Sequence, residues 1–83
     1  MKKKPIEISY KKLGRNKAHG LAWDKEREVV IDSGLTGQDL LETLIHEIMH
    51  CQNPKWPEIK IVGHSKEMAD LLWQQGFRKV QLK

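Results

Sequence analysis

The chain has 83 residues, of which 15 are Lys or Arg and 11 are Asp or Glu, so its formal net charge at pH 7 is +4. This length predicts one domain spanning residues 1–83, whose small core makes a metal, a disulfide or a partner useful for stability. Cys51 is the sole cysteine in the sequence, which excludes an intrachain disulfide. No apolar run approaches the roughly 20 residues of a membrane span and no signal-peptide pattern follows Met1, so we expect a cytoplasmic protein without membrane contact.

Positive charge is concentrated in residues 1–17, where Glu7 is the single acidic residue. Such a basic segment is typical of a flexible N-terminal arm, and it could also contact nucleic acid. Tyr10 is its single aromatic residue, whereas proteins that bind single-stranded nucleic acid usually stack several aromatic side chains on the bases. The preferred interpretation is therefore a solvated arm, with nucleic acid as a weaker alternative partner.

Short strands are predicted in the first part of the chain. Ile6 to Tyr10 alternates apolar and polar residues, which predicts a half-buried strand. The segments 21–23 and 28–32 flank the charged stretch 24–27, which predicts a β-hairpin with a four-residue connection. Together these elements predict a small, mostly antiparallel sheet of about three strands.

The segment after this sheet has the pattern of an amphipathic helix. Thr36-Gly37-Gln38-Asp39 is a capping-box-like signal for a helix that begins near Gly37, and no Pro or Gly follows before Cys51. At about 100° per residue, apolar side chains share one side of the helix, namely Leu40, Leu41, Leu44, Ile45 and Ile48. Polar side chains share the opposite side, namely Asp39, Glu42, Thr43, His46 and His50.

This helix contains the sequence His46-Glu47-Ile48-Met49-His50, an H-E-x-x-H motif. On a helix, the two histidines lie one turn apart on the same face, and zinc accepts two imidazole nitrogens at about 2.0–2.1 Å. Glu47 projects sideways from this face, where a carboxylate can act as general base beside the metal. We therefore predict zinc ligands at His46 and His50 and a catalytic Glu47. A pair of surface histidines is the alternative, but the apolar back of the helix favours the metal site.

A second helix is predicted after the prolines at positions 54 and 57, because a residue that precedes proline disfavours the helical conformation. This helix would run from Pro57 to about Gln75, with Gly76 as its stop and Phe77 as a Schellman-type contact. A short strand over 58–62 followed by a helix from Ser65 is the alternative. Cys51, about 100° around the first helix from His50, is expected to be a buried small apolar residue.

The predicted third zinc ligand depends on whether residues 58–75 form one continuous helix or a short strand followed by a helix. In one continuous helix, Glu58 lies near the middle of the apolar face, which comprises Ile61, Val62, Met68, Ala69 and Leu72. A carboxylate on a buried face needs a partner, and zinc would be one. In the strand-then-helix alternative, His64 at the helix entrance is the better ligand. Glu58 is the preferred third ligand, and His64 is the alternative.

The run from Leu41 to Cys51 resembles the active-site helix of zincin metallopeptidases. Together with residues 58–61 and 71–78, it is similar to a group of very small, gluzincin-like metallopeptidases of phages and prophages, over roughly residues 21–78. This resemblance implies a minimal α+β zincin fold, bound zinc, and a glutamate at the start of the second helix as third ligand, which corresponds to Glu58. Gly63-His64-Ser65 is more weakly similar to SprT-like zincins, whose third ligand is a histidine, but the chain lacks their zinc-ribbon cysteines.

These observations predict a zinc-dependent hydrolase, specifically a metallopeptidase that acts on a peptide or protein substrate. Zinc would lower the pKa of its bound water towards about 7, and Glu47 would accept the proton. An electropositive group must also stabilise the oxyanion, and the candidates are Tyr10, His19, His64 and Arg78. A non-catalytic, zinc-stabilised protein-interaction module is the alternative function. A basic nucleic-acid-binding protein is the second alternative.

Overall fold

A computed structural model describes residues 4–14 and 19–80, which form an α+β domain with a three-stranded sheet followed by two helices. The predicted order of elements is confirmed. The elements are β1 (Glu7–Lys11), β2 (Gly20–Trp23), β3 (Glu28–Asp32), α1 (Gly37–Gln52) and α2 (Glu58–Gln74).

The sheet has the strand order β1-β3-β2. Antiparallel pairing of β2 with β3 across the turn 24–27 confirms the predicted hairpin. The pairing of β1 with β3 is parallel, so the sheet is mixed and the expectation of a mostly antiparallel sheet is wrong for this pair. Val29, Val30 and Ile31 are all buried, which suits a central strand. Since β2 occupies one edge of β3, β1 pairs along the other, and its alternating pattern carries no information about direction.

The edge strand β1 is more exposed than the other two strands, but the apolar side of the predicted strand is partly covered, since Ile6 packs against the core and Tyr10 is 38% exposed. Ile8 is 40% exposed, because α1 packs on β2 and β3 and not on β1. The basic segment 1–17 contributes β1 to the sheet, so residues 7–11 of it are paired. The predictions of a flexible arm and of a contact with nucleic acid concern the whole of residues 1–17. Residues 1–3 and 15–17 of this segment lie outside the described residues.

Helix α1 lies at the centre of the core and packs against both the sheet and α2. Towards the sheet it covers Val29 and Ile31, and Cys51 is buried there as predicted. Towards α2, its apolar residues meet Ile61 and Ala69. The predicted apolar side of α1 is thus divided between two clusters. Leu40 and Leu44 face the first cluster, and Leu41 and Ile45 belong to the second.

The start of α1 agrees with the prediction, but its capping does not. Thr36 is extended and makes no side-chain hydrogen bond to the first turn, so no capping box forms. The Gln38 side chain instead donates a hydrogen bond to Asp70 on α2. This bond links the first turn of α1 to the packed partner helix.

Helix α2 is continuous from Glu58 to Gln74, which excludes the strand-then-helix alternative. It ends in the predicted Schellman motif: the Gly76 N–H donates to the Trp73 carbonyl at 3.0 Å, and the Phe77 N–H donates to the Leu72 carbonyl at 3.1 Å.

The buried face of α2 is narrower than predicted. Ile61, Ser65 and Ala69 are buried, whereas Val62 and Met68 are 42% and 43% exposed. Of the other described elements, α2 packs against α1. A helix with one packing partner buries a single line of side chains spaced four residues apart, and in α2 this line is Ile61, Ser65 and Ala69.

Candidate metal centre

Two helices supply the side chains of the candidate metal centre. His46 and His50 lie one turn apart on α1, and Glu58 is the first residue of α2. The short connection 53–57 returns the chain towards α1, with the Trp56 N–H donating to the Asn53 carbonyl at 3.0 Å. This connection places the first turn of α2 beside the two histidines.

The ligand atoms of these three residues converge. The His50 Nε2 lies 2.8 Å from Glu58 Oε1, and the His46 Nε2 lies 3.1 Å from Glu58 Oε2. The two imidazole Nε2 atoms are 3.2 Å apart. Ligand atoms at about 2.0–2.1 Å from a tetrahedral zinc lie about 3.3–3.4 Å from one another. The 3.1 and 3.2 Å separations are slightly shorter than this and the 2.8 Å separation is about 0.5 Å shorter, so the three side chains would move apart by a few tenths of an ångström to bind zinc.

The chemistry of this donor set also fits zinc. Two imidazole nitrogens and one carboxylate oxygen are ligands that zinc accepts in catalytic sites with an open fourth position. One ligand atom from each of the three residues lies within 4.8 Å of the other two, which is close enough for all three residues to bind one cation. Within residues 4–14 and 19–80, His46, His50 and Glu58 are the group of His, Cys, Asp or Glu residues whose ligand atoms all lie within 4.8 Å of one another.

The structure brings Glu58, and not His64, to the two histidines. The Glu58 side chain is 62% exposed, so the expectation that it lies on a buried face is wrong. It does lie on the same stripe as Ile61 and Ser65, but the first turn of α2 extends beyond the packed core. His64 is exposed, and its ring lies 5.1 Å from the Trp56 ring, between centroids.

Glu47 is the buried neighbour of this centre. Its exposed fraction is 9%, and it lines the same cleft as His46 and His50. Burial raises the pKa of the Glu47 carboxyl group, while His46 and His50 lower it and the charge of Glu58 raises it further. A carboxyl group with a raised pKa is a stronger base when ionised, as general base catalysis requires.

Gly20 positions Glu47, a role that was not predicted from the sequence. A Cβ atom at Gly20 would lie 2.8 Å from Glu47 Cγ and 3.1 Å from both Glu47 Oε2 and Thr43 Cγ2. The backbone of β2 therefore approaches α1 closely enough that a residue without a side chain is needed there. A glycine before a short strand looks like an ordinary turn residue, so no sequence signal identifies this contact.

The centre opens into a cleft of about 610 Å³ between β2, α1 and the start of α2. Of the four candidates for oxyanion stabilisation, His19 lines this cleft. Tyr10 and Arg78 line a different cavity, and His64 lies beside Trp56. Asp24 and Glu42 also line the cleft, and its described lining residues include no Lys or Arg.

Comparisons with protein-family models, curated proteins and solved structures found no match to this chain. In the part of the chain that the structure describes, no helix is both long and apolar enough to cross a membrane. The residues of the cleft are therefore the basis for assigning a function.

Proposed function

We propose that the protein is a zinc-dependent metallopeptidase in which His46, His50 and Glu58 hold the metal and Glu47 is the general base. The observation that carries this proposal is the convergence of three zinc-type ligand atoms within 4.8 Å of one another. A buried carboxylate beside them, lining the same cleft, supports a catalytic site, because a closed structural site does not need it. The resemblance of residues 41–51 to zincin metallopeptidases agrees with the proposal.

When bound, zinc supplies a Lewis acid that polarises a substrate carbonyl and activates water. Glu47 accepts a proton from the attacking water and then delivers it to the leaving amine. The position of this carboxylate is fixed by α1 on one side and by the backbone of Gly20 on the other. Burial keeps the Glu47 pKa raised, which favours proton uptake during the reaction.

The other residues of the cleft suggest how a peptide is held. His19 is the proposed electropositive partner of the carbonyl oxygen, because it lines the cleft and can donate a hydrogen bond. Asp24 and Glu42 leave the cleft negatively charged beyond the ligands and the base. Peptides with Lys or Arg near the scissile bond are therefore the expected substrates.

The test of this function is hydrolysis of a fluorescence-quenched peptide library by zinc-loaded protein, with a Glu47→Gln variant. Loss of the base should reduce the rate by about 10²–10⁴-fold and leave the zinc content unchanged. Glu67→Gln, at an exposed position of α2 outside the cleft, is the matched control and should behave like the wild type. Hydrolysis by Glu47→Gln at the wild-type rate would contradict the mechanism. Zinc binding without hydrolysis of any peptide would favour a zinc-stabilised interaction module.

A further inference from the structure

A second cavity, of about 340 Å³, shares no lining residue with the metal cleft. It is lined by leucines of α1 and by aromatic residues of β1, of the last turn of α2 and of the segment that follows α2. We call it the leucine groove and define it by Leu40, Leu41, Leu44, Trp73, Phe77 and Tyr10. Phe77 is 61% exposed. An apolar concavity of this kind on a small domain is typical of a binding site.

Two cationic residues, Arg78 and Lys79, also line the leucine groove. The Arg78 guanidinium carbon is 3.3 Å from the centroid of the Trp73 ring, and the Lys79 Nζ is 3.7 Å from the centroid of the Tyr10 ring. Arg78 Nη1 also donates hydrogen bonds to the carbonyls of Trp73, at 3.0 Å, and Phe77, at 2.9 Å. These contacts hold the two positive charges against Trp73 and Tyr10, which line the groove together with them.

The charge of the groove is not balanced from within. Neither Arg78 nor Lys79 forms a salt bridge with another described residue. Among the described residues that line the groove, none is an Asp or Glu. The groove therefore combines apolar lining residues with two positive charges, and its complement is an apolar group flanked by negative charge.

We propose that the leucine groove binds an acidic peptide segment of a partner protein, anchored by a bulky apolar side chain. The anchor would cover Leu40 and Leu44, and the flanking carboxylates would pair with Arg78 and Lys79. Phe77, Arg78 and Lys79 of the lining are exposed, so a bound segment can stay attached to a solvated chain. The net charge of +4 further favours encounter with an acidic partner. This proposal is independent of the metal centre, because the two sites share no residue.

The test uses fluorescence anisotropy with three labelled heptapeptides. The acidic apolar probe is Asp-Glu-Leu-Leu-Phe-Asp-Glu, the cationic control is Lys-Arg-Leu-Leu-Phe-Lys-Arg, and the polar control is Asp-Glu-Ser-Ser-Ser-Asp-Glu. We expect the acidic apolar probe to bind at least about tenfold more tightly than either control, with an affinity that falls as salt rises. Equal binding of all three peptides, or no binding of the first, would overturn the proposal.

Charge-reversal variants test whether the acidic probe binds at the leucine groove. The double variant Arg78→Glu, Lys79→Glu should weaken binding of the acidic probe by about tenfold or more. Lys79→Glu alone leaves the Arg78 hydrogen bonds in place and should weaken it by about threefold or more, which keeps the test valid if the double variant unfolds. Lys60→Glu is the matched control, since Lys60 lies 4.1 Å from the Trp56 ring centroid, outside the groove, and should bind like the wild type.

Three other outcomes would each contradict an acidic peptide as the occupant. If Lys79→Glu binds the acidic probe as tightly as the wild type does, the probe binds elsewhere on the basic surface and not in the groove. Binding of laurate, but not of the acidic probe, would identify a lipid site. Dimerisation in sedimentation experiments that is abolished by Lys79→Glu would identify the groove as an interface between two copies of the chain.

Discussion

The close contact between Gly20 and Glu47 makes Gly20→Ala an informative perturbation. The added Cβ would lie 2.8 Å from Glu47 Cγ, closer than real Cβ contacts allow, and Cγ cannot move without moving the whole carboxylate. Overpacking of this kind costs about 1–3 kcal/mol of unfolding free energy. A displacement of about 1 Å at a catalytic group lowers activity by about 100-fold. We therefore expect Gly20→Ala to be both less stable and much less active, with zinc still bound.

The assay is urea unfolding followed by tryptophan fluorescence, together with the peptide-hydrolysis rate. Gly63→Ala is the matched control, because a Cβ at Gly63 has no atom within 4 Å and the residue lies inside α2. That substitution should stabilise the protein by about 0.5–1 kcal/mol. If Gly20→Ala unfolds at the wild-type urea concentration and retains the wild-type rate, the proposed packing of Glu47 against β2 is refuted.

Three further predictions concern stability. Chelation of zinc should lower the melting temperature and added zinc should restore it, because zinc at 1,000 times its dissociation constant raises the free energy of unfolding by about 4 kcal/mol; an unchanged melting temperature would argue against a bound metal. In the metal-free protein, Glu47→Gln should raise the urea midpoint above pH 4.5 but not below it, because the raised pKa makes ionised Glu47 destabilising; a pH-independent difference would contradict this. Gly76→Ala should cost about 1 kcal/mol, measured by urea unfolding, because φ is +91° there; an unchanged midpoint would be inconsistent with the Schellman ending.

Local periodicity explains which parts of the fold could be predicted from the sequence. The hairpin followed from two apolar segments around a charged turn, and α1 followed from residues spaced at helical intervals. The same periodicity placed His46 and His50 together on one face of α1. It also placed Glu58 on the stripe of α2 that includes Ile61 and Ser65, which is why the structure brings it to the histidines.

The features that were not predicted depend on how the elements pack together. The exposure of Glu58 reflects where the core ends along α2, which a helical wheel does not show. The parallel pairing of β1 depends on which edge of β3 remains free. The proximity of Gly20 to Glu47 depends on the distance between β2 and α1. No local pattern in the sequence predicts that distance, because it is set by the packing of the whole domain.

The zinc content of purified variants tests the central claim most directly. We predict about one zinc ion per chain in the wild type and a large loss in His46→Ala, His50→Ala and Glu58→Ala. His64→Ala is the matched control, because its ring lies against Trp56 and away from the cluster, and it should keep the full zinc content. A wild-type protein without zinc affinity would contradict the account, and so would full zinc content in Glu58→Ala together with loss in His64→Ala.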